Sequence, residues 1–147
     1  MYVRELVVSY RPTTVEAPAP AGELASGPQD AVRIFTALFH EEAVEVFGVL
    51  CLTTKQRVIG YGEIGRGAIA YVSVSPREVF QVALLANATA VVLGHNHPSG
   101  SPLPSPEDGE LTRSMACAGR TMNVEVLDHI IVGHDGQYYS FKEAGRL

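Results

Sequence analysis

The most constraining feature of the sequence is a short apolar run, 90–94, which ends at His95 and is followed by His97 and Pro98. The run is rich in β-branched residues, and this composition predicts a buried strand. Because residues two apart on a strand point to the same face, both imidazoles can reach one ion. The pattern therefore predicts a metal site at a strand end.

A constrained loop and a helix start follow the two histidines. The Pro and Gly residues within 98–104 exclude regular structure, and Ser105 followed by Pro106 is typical of a helix N-cap and first helical position. Asp108 then falls in the first helical turn, where its carboxylate can turn back towards the strand end. Two imidazole nitrogens and one carboxylate oxygen are the three-ligand set of a catalytic zinc, with the fourth position left to water.

The same residues have a second interpretation that needs no metal. Ser105 and Asp108 have the Ser-x-x-acid spacing of a capping box, although Asp is a shorter and less usual partner than Glu or Gln. Capping and metal binding are compatible, so the residues alone leave both interpretations open.

Two polar residues near this motif are expected to have structural roles. Asn96 points away from the metal by strand alternation, and we expect it to brace a loop. His129 is flanked by strand-like residues, which favours a histidine that is hydrogen-bonded within the sheet over a metal ligand.

Predicted strands and helices alternate along the rest of the chain. Helical spacing and caps predict helices over 30–39 and 76–86 and from Pro106 onward, whereas β-rich segments predict strands over 44–52, 57–63, 90–95, 124–132 and 138–141. This alternation predicts an α/β domain with three layers, in which helices flank a mixed β-sheet.

The first 28 residues differ in composition from the remainder. Residues 2–10 alternate as in an edge strand, and residues 12–28 are rich in Pro, Ala and Gly, which predicts a connector. We therefore expect an N-terminal strand and connector over 1–28 and one folded domain over 29–147. A chain of 147 residues with 46% hydrophobic content is enough for a single core.

Charge and hydropathy exclude some classes of function. The net charge is −5 with only 11 Lys and Arg residues, which argues against a nucleic-acid-binding surface. No apolar stretch is long enough for a membrane span, and there is no signal segment. Cys51 and Cys117 form no Cys-x-x-Cys pair, so buried reduced thiols and a cytoplasmic location are expected.

The longer pattern resembles a known family. His-x-His, seven residues, Ser, two residues and Asp matches the JAMM (MPN+) metalloprotease motif, and the string 95–100 with Pro104 resembles the RadC branch of that family. Further similarity lies in 74–80, in Asn87-Ala88 and in 127–129. The resemblance covers 29–142. Nothing in the chain resembles the helix-hairpin-helix region of full-length RadC proteins, so we expect a short form.

The resemblance implies a glutamate on a separate strand, near the zinc-bound water. Glu45 is the candidate because it opens an apolar run, as the family's glutamate does. Glu41, Glu42 and Glu63 are its competitors, and for the first two, at the end of a helical segment, an ordinary surface role is favoured.

The fold and chemistry that the resemblance implies are specific. The fold is the JAMM, or cytidine deaminase-like, fold, with one Zn²⁺ per chain held by His95, His97 and Asp108. Glu45 acts as general base and then general acid, and the Ser105 hydroxyl stabilises the oxyanion. The expected partner is a peptide or protein substrate.

The sequence favours one of three candidate functions. A zinc-dependent peptidase or isopeptidase fits the whole motif. A zinc deaminase is disfavoured because it expects His-x-Glu and Pro-Cys-x-x-Cys, which this sequence lacks. A DNA repair-associated or non-catalytic zinc-binding role is the alternative, against which the acidic charge argues.

Overall fold

The computed structural model describes residues 27–40, 42–67 and 74–147, together with single positions near the N-terminus. The predicted strand over 2–10 and most of the connector over 12–28 lie outside the described residues. The described elements, in chain order, are α1 (Pro28–Phe39), β1 (Val46–Leu52), β2 (Val58–Arg66), α2 (Pro76–Leu85), β3 (Ala90–Asn96), α3 (Pro106–Met122), β4 (Glu125–Val132) and β5 (Tyr138–Ser140).

The five strands form one mixed sheet in the order β2-β1-β3-β4-β5. β3 lies at its centre, antiparallel to β1 and parallel to β4. A parallel pair requires a crossover connection, which α3 supplies between β3 and β4. The C-terminal end of β3 therefore leads through one loop to the N-terminus of α3.

Alternating side chains of β1 divide the core into two halves. Phe47, Val49 and Cys51 belong to a buried cluster with α2 and α3, whose members include Val79, Phe80 and Met115. Val46, Leu50 and Leu52 belong to a second cluster with Ala31, Phe35 and Phe39 of α1. Because the two clusters lie on opposite faces of the sheet, the predicted three-layer α/β architecture is confirmed.

A glycine in β3 allows close packing directly behind the first histidine. A Cβ atom on Gly94 would lie 2.5 Å from ring atoms of Phe35, so only glycine permits this approach of α1. The next residue, His95, projects to the opposite face, towards α3.

The local predictions agree with the structure apart from a few details. The hairpin of β1 and β2 is present, with Gln56 at a positive φ in its turn, and β2 extends three residues beyond the predicted end at Glu63. Cys51 is buried as expected, but Cys117 is exposed because it lies on the outer face of α3. The domain boundary at residue 28 stays a prediction. Among the described residues, no helix has the length and apolar character needed to cross a membrane.

Candidate metal centre

Two histidines meet at the C-terminal end of β3. His95 is the penultimate residue of the strand and fully buried, and His97 follows the strand and is partly exposed. Their Nε2 atoms lie 3.0 Å apart. The predicted convergence of these imidazoles is therefore present in the fold.

Two carboxylates approach the same pair of nitrogens from different elements. Asp108, in the first turn of α3, places Oδ1 3.3 Å from His95 Nε2 and Oδ2 3.5 Å from His97 Nε2. Glu45, just before β1, places Oε1 3.8 Å from His95 Nε2. Ligand atoms of Glu45, His95 and His97 all lie within 4.8 Å of one another, so this group could hold a metal ion.

Each ring has a hydrogen-bonding partner at Nδ1, on its far side, and turns its Nε2 towards the site. His97 Nδ1 lies 2.8 Å from the carbonyl oxygen of Ser101, which can only accept, so Nδ1 carries the proton. His95 Nδ1 lies 2.9 Å from Nε2 of His129, a buried ring. If neither Nε2 carries a proton, two lone pairs face each other across 3.0 Å and repel unless a cation lies beside them. The site therefore favours a proton or a metal ion.

The spacing of these atoms fits a tetrahedral metal ion. Zinc bonds of about 2.0–2.1 Å place neighbouring ligand atoms about 3.3 Å apart in a tetrahedron. The two Nε2 atoms are 3.0 Å apart, and each has one Asp108 oxygen at a similar distance, Oδ1 at 3.3 Å from His95 and Oδ2 at 3.5 Å from His97. Imidazole nitrogen and carboxylate oxygen are also the donors that zinc takes in such sites. The donor atoms that converge here are therefore of the kinds that fit a metal ion.

The first turn of α3 has the capping box that was the alternative interpretation. The Ser105 hydroxyl accepts a hydrogen bond from the Asp108 N–H at 3.1 Å, and the Ser105 N–H donates to Asp108 Oδ2 at 2.7 Å. The Asp108 carboxylate thus caps the helix and faces the two histidines at once. Capping and the metal-site geometry coexist: Oδ2 accepts the cap hydrogen bond and also faces His97, and Oδ1 faces His95.

Asn96 holds the backbone on both sides of Glu45. Its Oδ1 accepts from the Val46 N–H at 2.7 Å, and its Nδ2 donates to the Val44 carbonyl at 3.0 Å. The Gly67 N–H donates to the Glu45 carbonyl at 2.8 Å. Asn96 braces the backbone as predicted, but the segment that it braces is the one that carries Glu45 and not the loop after the histidines.

The competing glutamates have other partners. Arg66 makes ion pairs with Glu42 and with Glu63 at the end of β2, on the exposed side of the same strand pair. Glu41 lies outside the described residues. Of the described candidates, Glu45 is the one that the structure brings next to a histidine of the motif.

The metal-free site has strongly shifted proton equilibria. The hydrogen bond to Asp108 raises the pKa of His97, and this effect outweighs desolvation. Burial by itself raises the pKa of Asp108, but the polar contacts with His95 and His97 prevail and hold that pKa well below its usual range. In the metal-free site, a proton on His97 thus offsets the negative charge of the Asp108 carboxylate, as a metal ion would do.

We expect the metal-free protein to lose stability as the pH rises through the raised pKa of His97. A raised folded-state pKa stabilises the fold below the ordinary value of 6.5 and ceases to do so above the folded-state value. The lowered pKa of Asp108 stabilises above 3.8 and is lost on acidification. Thermal unfolding of the metal-free protein between about pH 6 and pH 8.5 should show the decline, and zinc should remove it.

His97→Gln is the control for this pH dependence, because it removes the titrating ring while keeping a polar side chain. An equal decline with pH in this variant would assign the effect to another group.

Comparison with known proteins identifies the family. A family model of the RadC-like JAB domain matches residues 25–146. The chain belongs to the RadC-like JAB domain family. The match includes every residue of the candidate metal centre, and the mixed sheet with its three helices is consistent with the JAB/JAMM fold expected from the sequence.

Relatives of this RadC-like JAB domain occur in several bacteria. The UPF0758 protein STH371 of Symbiobacterium thermophilum is 48% identical over 105 residues, which are 71% of this chain and 44% of that protein. UPF0758 protein XAC3915 of Xanthomonas axonopodis pv. citri is 41% identical over 126 residues, 86% and 56% of the two chains. A UPF0758 protein of Desulfitobacterium hafniense is 41% identical over 122 residues, 83% and 53%. The chain spans about half the length of these curated relatives.

Sequence reasoning did not predict how two residues contact each other and the metal centre from behind. His129 is hydrogen-bonded within the sheet as predicted, but its partner is His95 itself. Thr112 of α3 lies 2.6 Å from His129 Nδ1. The signal for His129 was the strand-like 127–129 segment, whereas a single threonine inside a predicted helix gives no signal.

Proposed function

We propose that this RadC-like JAB domain is a zinc-dependent hydrolase that cleaves peptide or isopeptide bonds. The observation that carries the proposal is the convergence of two imidazole nitrogens and two carboxylates at one end of the sheet. The family membership supports it, because the sequence motif was predicted to bind zinc and to catalyse hydrolysis within a domain of this family.

The two carboxylates have different roles in this proposal. Asp108 is the proposed third ligand, since one of its oxygens lies 3.3 Å from His95 Nε2 and the other 3.5 Å from His97 Nε2, and its backbone is fixed by the helix cap. Glu45 lies farther from the imidazoles, with Oε1 3.8 Å from His95 Nε2, and its side chain is 19% exposed, so it can reach a water molecule beside the ligands. Three protein ligands with an open fourth position are the arrangement of catalytic zinc sites.

The residues of the chain account for each proton that the reaction moves. Zinc, when bound, lowers the pKa of a water molecule from about 15.7 to about 7 and so supplies a nucleophile near neutral pH. Glu45 takes the proton that this water loses as it adds to the amide carbonyl carbon. As the C–N bond breaks, Glu45 returns the proton to the leaving amine, giving a carboxylic acid and an amine.

Ser105 is the proposed donor to the carbonyl oxygen of the substrate. Its hydroxyl oxygen accepts a hydrogen bond from the Asp108 N–H. Accepting this bond does not use the hydroxyl hydrogen, which can therefore be donated to the substrate. A preorganised donor at this position stabilises the negative charge that develops on the oxygen.

Metal content and peptide cleavage together test the proposal. We expect about one zinc per chain by elemental analysis, and loss of that zinc in the double variant His95→Ala, His97→Ala. His40→Ala is the matched control, because it removes an exposed histidine at the end of α1. The zinc-loaded protein is then incubated with a mixture of linear and lysine-branched peptides, and new termini are identified by mass spectrometry.

Each result has a distinct meaning. Zinc that is bound and lost with the double variant, together with cleavage that a chelator stops, would support the hydrolase. Bound zinc without cleavage of either peptide class would favour the non-catalytic zinc-binding alternative. No bound zinc, and none taken up on addition, would overturn the proposal.

A further inference from the structure

His129 is a buried histidine, and the two ring nitrogens are the atoms through which its side chain can form hydrogen bonds. The ring of Phe141 stacks against it with centroids 5.0 Å apart and planes at 10°, and Phe47 meets it edge-on at 5.6 Å. The residue is fully buried in β4. Since apolar rings pack around it, hydrogen bonds at Nδ1 and Nε2 decide which nitrogen carries the proton.

The direction of each hydrogen bond follows from one backbone carbonyl. Thr112 Oγ lies 2.6 Å from the Asp108 carbonyl oxygen, which can only accept, so the hydroxyl donates there. Towards His129 Nδ1, also at 2.6 Å, the same hydroxyl oxygen must therefore accept. His129 accordingly carries its proton on Nδ1.

The remaining nitrogen of His129 then determines the state of His95. With the proton on Nδ1, the neutral His129 ring has a bare Nε2, which accepts from His95 Nδ1–H at 2.9 Å. His95 keeps its own Nε2 bare, and that atom faces His97 and Asp108. A series of hydrogen bonds thus runs from the backbone carbonyl of one candidate ligand, Asp108, through Thr112 and His129 to a second candidate ligand, His95.

We propose that Thr112 and His129 are positioning residues that lock His95 in its metal-binding tautomer, although neither residue contacts the metal. The inference deepens the proposed function and rests on its metal site. Without the threonine hydroxyl, His129 can carry its proton on Nε2. That proton would point at His95 Nδ1 and move the proton of His95 to Nε2, the atom required for metal binding.

A pair of substitutions at Thr112 tests this link. Thr112→Val removes the hydroxyl with almost no change of shape, and Thr112→Ser keeps it. Loss of such an outer partner typically lowers metal affinity by about 10–100-fold. We expect this loss for zinc in Thr112→Val, measured by competition with a chromophoric chelator, and near-natural affinity in Thr112→Ser.

A spectroscopic measurement separates positioning from a merely structural role. Long-range ¹H–¹⁵N correlation spectra of the metal-free protein, at a pH where the imidazoles are neutral, report the tautomer of each ring. His95 should carry its proton on Nδ1 in the natural chain and in Thr112→Ser, and it should shift towards Nε2 in Thr112→Val. Lower thermal stability of Thr112→Val without a tautomer shift would overturn the proposal.

A second pair of variants covers the case in which Thr112→Val does not fold. In His129→Gln, the amide oxygen can replace Nε2 as the acceptor for His95, whereas His129→Leu offers no acceptor. We expect zinc affinity to be retained better by His129→Gln, and equal affinity in the two variants would contradict the link. If the natural chain bound no zinc, the proposed function would fail, while the tautomer spectra would still decide the role of Thr112.

Discussion

Replacing Glu45 by Gln should lower turnover by about 10²–10⁴-fold, the usual contribution of a positioned acid–base group. Gln has nearly the same shape as Glu but cannot take a proton from water or return it to the leaving amine. Zinc content should stay at the natural level, because His95, His97 and Asp108 remain in place. Initial rates on a cleaved peptide and elemental analysis of the same samples give both quantities.

The control for Glu45→Gln is Glu63→Gln, which removes a carboxylate on β2 that pairs with Arg66 and is not part of the site. We expect this variant to turn over at the natural rate. Loss of zinc from Glu45→Gln would contradict the assignment of roles. It would make Glu45 a ligand, which the grouping of Glu45 with the two histidines allows.

The position of Glu45 depends on the pairing of β1 with β3. Phe47 pairs with His95 in the antiparallel register, and extending that register places residue 45 level with residue 97. Because residues two apart share a face, Glu45 projects to the same side of the sheet as Phe47 and His95. Asn96 then fixes the backbone on both sides of Glu45. The fold thus ties the proposed base to the strand that carries the ligands.

The sequence predicted the parts of the site that depend on local signals. The apolar run before His95, the prolines after His97 and the cap at Ser105 each act over a few residues, and the structure has β3, the loop and α3 where these signals lie. The position of Glu45 could not be derived in this way. It requires a strand register across 50 residues, for which the resemblance to the JAMM family supplied the expectation.

The hydrogen-bonded chain behind His95 illustrates what local patterns cannot predict. Thr112 and His129 meet only because β3 and β4 are parallel and α3 crosses between them. Leu93 pairs with His129 in that register, which brings His129 beside the strand that carries His95. No periodicity in the sequence encodes this contact, since each residue is compatible with an ordinary strand or helix interior.

Replacing Ser105 by Ala should lower turnover by about 10²–10³-fold, the usual cost of removing one oxyanion donor. The same substitution removes the N-cap of α3 and should cost about 1 kcal/mol of stability. Peptide cleavage rates and denaturant unfolding of the zinc-loaded protein measure the two effects. Ser105→Thr retains a hydroxyl for both roles and should stay close to the natural chain in both measurements.

The two roles of Ser105 can be separated with glycine. Gly is a tolerated N-cap, and replacing Ser by Gly at this position typically costs only about 0.3 kcal/mol. Ser105→Gly should therefore be nearly as stable as the natural chain, yet as slow as Ser105→Ala, because neither variant has a hydroxyl to donate. If Ser105→Gly instead cleaved peptides at the natural rate, the low rate of Ser105→Ala would be a consequence of the lost cap. The Asp108 carboxylate, which the cap also holds, would then be the group through which Ser105 acts.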